Sequence, residues 1–88
     1  MSDTGRRIIF ADGTAYEDAV IGYSHGVIWC YTVGKTLAEV FMDFMNPQKT
    51  AVLRCQYGEM EDVYEGYTHI GAILEDDGEI KIRMEKEG

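Results

Sequence analysis

Eighty-eight residues with 45% apolar content make a single domain, 1–88, with a modest core, and argue against an intrinsically disordered chain. No run approaches the ~20 apolar residues that cross a bilayer, and the opening MSDTGRR lacks the apolar stretch of a signal peptide, so a cytoplasmic location is expected. Sixteen acids against eight bases leave a net charge of −8, a field that repels nucleic acid and anionic membrane and attracts basic surfaces.

In chain order, the first strand is expected over residues 6–11, with Ile8 and Phe10 on one face. Asp12-Gly13 is a strong hairpin signal, because a type I′ turn needs positive φ at both central positions. A second strand follows over 14–17, extending weakly through Val20 and Ile21. Ser24-His25-Gly26 is the next turn, and the run from Val27 to Val33 that follows is apolar on both faces, as a central strand would be. A helix is predicted over about 36–46. Thr36 and Glu39 have the spacing of a capping box, and Leu37, Val40, Phe41, Phe44 and Met45 form one apolar stripe, with Glu39 and Asp43 facing away. Pro47 ends it, because it pushes Asn46 out of the α region.

Residues 51–57 alternate Leu53, Cys55 and Tyr57 against Arg54 and Gln56. After a turn at Gly58, one long strand is expected over 62–74, then a turn at Asp76-Asp77-Gly78. A final strand sets Ile80, Ile82 and Met84 against Lys81, Arg83 and Glu85. The predicted fold is α+β: an antiparallel sheet of about five to six strands with one short amphipathic helix packed on one face, in the order β-hairpins, helix, β-meander.

Val33-Gly34-Lys35-Thr36 imitates the end of a phosphate-binding loop, but Trp29 stands where that motif requires Gly, and Thr36 is read as a helix N-cap. His25, His69, Cys30 and Cys55 have no zinc-site spacing. His25 reads as a turn residue and His69 as a strand residue on a solvent or interface face. Both cysteines lie in apolar strand runs and are expected as buried, inert thiols, with a structural disulfide as the alternative. The chain is therefore read as a non-enzyme with no cofactor and no metal site.

Between Arg54 and Lys81 there is no Lys or Arg, while eight acids fall there: Glu59, Glu61, Asp62, Glu65, Glu75, Asp76, Asp77 and Glu79. Tyr64 and Tyr67 flank Gly66 at odd spacing. A regular strand would send them to opposite faces, whereas a bulge at Gly66 would bring them to one. The candidate partner-binding residues are Glu59, Glu61, Asp62, Tyr64, Glu65, Tyr67, Glu75, Asp76 and Asp77. Same-face carboxylates such as Glu59 and Glu61, or Glu75 and Asp77, would lie about 7 Å apart on a strand, close to the spacing of successive phosphates along nucleic acid.

IIFADGTAYEDA (8–19) and YGEMEDVYEGYTHI (57–70) resemble segments of a group of small proteins encoded by phages and prophages of Gram-positive bacteria. Those proteins share a strand–DGT–strand opening, a short helix followed by a Pro turn, and a Tyr-Gly-x-Met-x-Asp-Val-Tyr-x-Gly-Tyr segment. The resemblance implies a mobile-element origin and brings neither a catalytic motif nor functional residues with it. Together with the charge it leads to two expectations. The first is a non-enzymatic, anti-CRISPR-like inhibitor that meets the basic surface of a host nucleic-acid-binding defence complex by presenting carboxylates in place of phosphates, acting in the host cytoplasm without contacting nucleic acid or membrane itself. The alternative is a small head, neck or tail component of a virion that docks by its sheet edge or helix face, with homo-oligomers a natural outcome.

Overall fold

The structure, a computed structural model, describes residues 6–86. Alternating apolar residues build two four-stranded antiparallel sheets among the described residues. In the first, β1 (Arg7–Ile9), β2 (Ala15–Glu17), β5 (Val52–Tyr57) and β6 (Met60–Glu65) lie in the order β2-β1-β5-β6. In the second, β3 (Val20–Ser24), β4 (Val27–Thr32), β7 (Tyr67–Leu74) and β8 (Ile80–Lys86) lie in the order β3-β4-β8-β7. Two short helices, α1 (Leu37–Phe44) and α2 (Pro47–Thr50), connect β4 to β5.

The inner faces share one core. Ile8, Leu53 and Cys55 meet Ile21, Ile28, Cys30, Ile80, Ile82 and Met84, and α1 adds Val40 and Phe44. At both margins the chain changes sheets through a corner. Asp18 (φ 55) and Ala19 turn β2 into β3, and Gly66 (φ 80) turns β6 into β7. Strands that switch sheets at bends are how such sandwiches close their corners. From its corner β3 runs past the first sheet: the Ala19 N–H donates to the Arg6 carbonyl at 3.4 Å, and the Ile21 N–H points at Cys55 Sγ at 3.4 Å.

Helix α1 starts where the capping residues demand. The Thr36 hydroxyl accepts from the Glu39 N–H at 3.2 Å, which satisfies one of the orphan amides of the first turn. The helix is anchored by an aromatic triad, Phe10, Tyr16 and Phe44, in T-shaped contacts with centroids 5.1 to 5.8 Å apart. Above the triad, Asp43 accepts from the Tyr16 hydroxyl and pairs with Lys49 Nζ at 3.1 Å, and Lys49 also reaches Asp12 at 3.4 Å. One cation thus holds α1, α2 and the β1–β2 turn together, and its bond to Asp43 raises the Lys49 pKa above its ordinary value.

The α+β class stands, but strand number and order differ from expectation. The described residues form eight strands in two sheets, not five to six in one. The expected long strand over 62–74 is two strands in different sheets, because Gly66 in a left-handed conformation breaks the pleat. Pro47 ends α1 as expected and also opens α2, where its missing N–H costs nothing at the first position; Asn46 caps α2 by accepting from the Gln48 N–H at 3.0 Å. Asp43 does not face away but is held in the Lys49 cluster. The apolar stripe of α1 is only partly used: Val40 and Phe44 are buried, whereas Met45 is 65% exposed. Cys30 and Cys55 are buried free thiols.

Two substitutions test this arrangement. Phe44→Ala is expected to lower unfolding free energy by about 3–5 kcal/mol, a large share of the stability of a chain this size. Gly66→Ala should cost about 1–2 kcal/mol from the positive φ alone, since a Cβ there meets only Lys86 Cε at 3.8 Å. Urea unfolding of both variants gives the two values directly.

Candidate partner-binding site

The two-residue turn Gly58-Glu59 sets the register of the β5–β6 hairpin. Tyr57 pairs with Met60, Cys55 with Asp62 and Leu53 with Tyr64. Because Cys55 and Leu53 face the core, Asp62 and Tyr64 lie on the inner side of an edge strand, at the open margin of the sandwich. The corner at Gly66 then folds Tyr67 back onto the same margin. The Tyr64 and Tyr67 rings meet edge to face with centroids 6.0 Å apart. The Tyr57 hydroxyl donates to Asp62 Oδ2 at 2.6 Å. Burial raises the Tyr67 pKa, and Tyr23 on β3, 60% exposed, adds to it by charge.

Burial is the largest cause holding Tyr64 and Tyr67 neutral. It pushes Tyr64 up to about 12, with the charge of Asp62 and the neighbouring Tyr57 and Tyr67 adding to it. For Tyr57 the bond to Asp62 comes first and raises its pKa. The result is two phenol rings in edge-to-face contact beside the bonded Tyr57–Asp62 pair, with Lys86 Nζ 5.9 Å from the centre of the Tyr67 ring. Such a group attracts an ammonium or guanidinium, by the quadrupole of the rings and by charge-assisted hydrogen bonds to the carboxylate.

No family model matches the chain, and no curated protein or solved structure is similar to it. The site is therefore read from geometry. Of the nine residues singled out from the sequence, the fold brings Asp62, Tyr64 and Tyr67 together. Glu61 and Glu65 share their strand but point to the opposite face, where Glu61 lies 3.5 Å from Arg54 and accepts from Gln56 at 3.1 Å. Glu59 is exposed in the β5–β6 turn. Glu75, Asp76 and Asp77 belong to the β7–β8 turn, roughly 25 Å from Tyr67 along the eight residues of β7. There Glu75 pairs with Lys81 at 3.5 Å, and Asp77 accepts from the Glu79 N–H at 3.0 Å. Glu59 and Glu61 therefore do not form a same-face strand pair, and the acidic stretch is neither continuous nor uncompensated.

Tyr57, Met60 and Tyr23 were not among the residues expected here. The signal for Tyr57 was available, because reading Gly58-Glu59 as a two-residue hairpin turn would have placed it diagonal to Asp62. Tyr23 comes from the far sheet and has no local signal. The bulge is not at Gly66 but at Ile70, where the register shifts between His69 and Gly71. His69, before the bulge, faces inward by regular alternation from Tyr67 and pairs with Met84: its ring stands edge-on to Phe41 at 5.4 Å, and burial lowers its pKa.

Elsewhere the chemistry is sparse. Burial raises the pKa of both thiols, which keeps them protonated and unreactive. A shallow hollow of about 310 Å³ sets Arg6 against Asp18 and Glu79 beside Tyr31, with opposite charges offsetting one another. Among the described residues no group of three His, Cys, Asp or Glu is arranged to hold a metal ion, and no helix is long and apolar enough to cross a membrane.

The raised Tyr64 pKa has a definite consequence for stability. Its folded value lies above the ordinary 10.0, so its stabilising contribution is complete below pH 10 and is lost as pH rises towards about 12. Tyr64→Phe is expected to flatten that part of the alkaline stability loss. Thermal unfolding across this pH range, with tyrosinate absorbance followed in parallel, checks it.

Proposed function

We propose that this chain is a non-enzymatic acidic protein that binds the basic surface of a protein partner, with the margin formed by Tyr57, Asp62, Tyr64 and Tyr67 receiving a Lys or Arg side chain. The observation that carries the reading is the carboxylate of Asp62, held 2.6 Å from the Tyr57 hydroxyl beside the edge-to-face Tyr64–Tyr67 pair. Asp62 has no cationic partner among the described ion pairs. Aromatic side chains with a polar handle are the usual material of protein interfaces, and a desolvated cation between rings and a carboxylate is a strong anchor.

The partner class we propose is a host nucleic-acid-binding defence complex, in line with the phage-type resemblance of 8–19 and 57–70. Inhibition would follow from occupancy of a groove built for phosphates. Glu59, Glu61 and Glu65 extend the negative field around the anchor, while Glu75, Asp76 and Asp77 lie too far along β7 to share one contact with it and act as steering charge. Such binding takes place in the bacterial cytoplasm and needs no cofactor.

The test is retention of nucleic-acid-binding nucleases from host lysate at low salt and at ~0.5 M, where screening is nearly complete, followed by assay of the retained nuclease. Low-salt retention with loss of nuclease activity is expected. Asp62→Asn should weaken retention roughly 10- to 100-fold, the scale of a hydrogen bond to a charged group. Retention of virion components instead, or binding indifferent to salt and to Asp62→Asn, would overturn the proposal.

A further inference from the structure

The two sheets present different outer faces. On the first sheet that face is a polar ladder: Arg7 pairs with Glu17 at 3.5 Å and donates to Gln56 at 3.2 Å. Gln56 donates to Glu61 at 3.1 Å, and Arg54 lies 3.5 Å from the same acid. On the second sheet Ile28, Cys30, Ile80, Ile82 and Met84 point into the core, so the alternate residues of β4 and β8 point out. The register puts Trp29 beside Arg83 in the middle row, between Gly22 and Gly71. Val27 and Glu85 stand together towards the β3–β4 turn, and Tyr31 and Lys81 towards the β7–β8 turn. Val27, Trp29 and Tyr31 are half-buried, and Ile73, opposite Lys81, is 50% exposed. Gly71 follows the bulge at Ile70, but Gly22 sits in an unbroken ladder without a positive φ. A Cβ at Gly22 would meet only Tyr31 Cε2, at 3.8 Å. A strand glycine with neither bulge nor crowding to account for it marks a place where another surface comes close.

Charge decides which surface that is. Both cations of this face are matched by an acid, Lys81 by Glu75 at 3.5 Å and Arg83 by Glu85 at 3.0 Å. In a chain of net charge −8, the middle of the face is therefore neutral. A strongly basic partner gains nothing from it, and neither does a polyanion, because its cations are already compensated. Two copies of this acidic chain repel each other least where each is neutral. The order along β8 then fixes their orientation. In an antiparallel pair, Lys81 of each copy stands opposite Glu85 of the other, and Tyr31 opposite Val27. The rims agree with that order. The Tyr31 rim carries Asp18, Asp76, Asp77 and Glu79 against Arg6, whereas the Ser24-His25-Gly26 turn at the Val27 end has no acid. Antiparallel pairing lays the acidic rim over the acid-free one, and parallel pairing would set acid on acid. At the centre Trp29 meets its counterpart, while each Arg83 stays with its own Glu85 and its own indole, 5.8 Å from the ring centre.

We propose that two copies of this chain pair in solution through the outer face of the second sheet, antiparallel about Trp29, with Lys81 of each facing Glu85 of the other. The pairing is independent of the basic partner proposed above, which is placed on the inner margin. Four strands ~4.8 Å apart and about six residues long give a face of roughly 400 Å² per copy, below the ~800 Å² of a standard interface. The dimer is accordingly weak and reversible.

Trp29 is the only tryptophan of the chain and lies at the centre of the contact, so its emission reports on pairing directly. Sedimentation velocity between about 10 μM and ~1 mM should show a dimer growing with concentration, with the Trp29 emission moving to the blue in step. Lys81→Glu is expected to weaken pairing about tenfold, and Glu85→Lys likewise, because each sets like charges face to face. The double variant, Lys81→Glu with Glu85→Lys, should restore most of it. Val63→Glu, half exposed on the outer face of the first sheet, should leave pairing unchanged. A chain still monomeric at ~1 mM, a dimer whose Trp29 emission does not move, or a double variant as weak as the single ones would each overturn the proposal. So would a Trp29 emission that responds to an oligothymidylate of about twelve nucleotides while the chain is monomeric, which would make the face a base-stacking surface instead.

Discussion

The change of sheet at Gly66 is the constraint on which the rest of this structure depends. With φ at 80 the chain leaves β6 and enters β7 at an angle no ordinary strand residue would accept. That one bend gives the second sheet its edge, lays Tyr67 across Tyr64 on the inner margin, and carries Glu75, Asp76 and Asp77 away from Asp62. A straight strand over the same residues would have made a single acidic ribbon with its tyrosines on opposite faces. The bend makes instead a small aromatic margin with one carboxylate and a separate, uncharged edge. The corner at Asp18 repeats the device on the opposite margin, so the two sheets are tied at both sides.

Much of the local structure was legible because it is written at short range. The capping pair Thr36 and Glu39, the turns at Asp12-Gly13 and Asp77-Gly78, and the alternation of Ile80, Ile82 and Met84 all depend on neighbours within four residues. What was not legible depends on partners far along the chain. Nothing near Gly66 says whether a glycine in a β-prone run is a bulge or a corner, because both exploit the same permitted φ. The difference is decided by whether a second sheet lies in reach. Asp43 shows the same limit: by helical period it faces away from the stripe, yet Tyr16 and Lys49 come from elsewhere to meet it. Of the site, Asp62, Tyr64 and Tyr67 were legible as a neighbourhood, whereas Tyr23 reaches it only through the packing of β3 across the first sheet.

The distribution of charge is a second instance of topology overruling sequence. A stretch with eight acids and no base looks uncompensated when read along the chain, but antiparallel pairing brings bases to it from the side. Arg54 comes across β5–β6 to Glu61, and Lys81 comes across the β7–β8 turn to Glu75. Such exposed pairs add little stability. Their effect here is to remove charge from the outer face of β6 and from one end of the turn, so that the unpaired carboxylate nearest the tyrosines is Asp62.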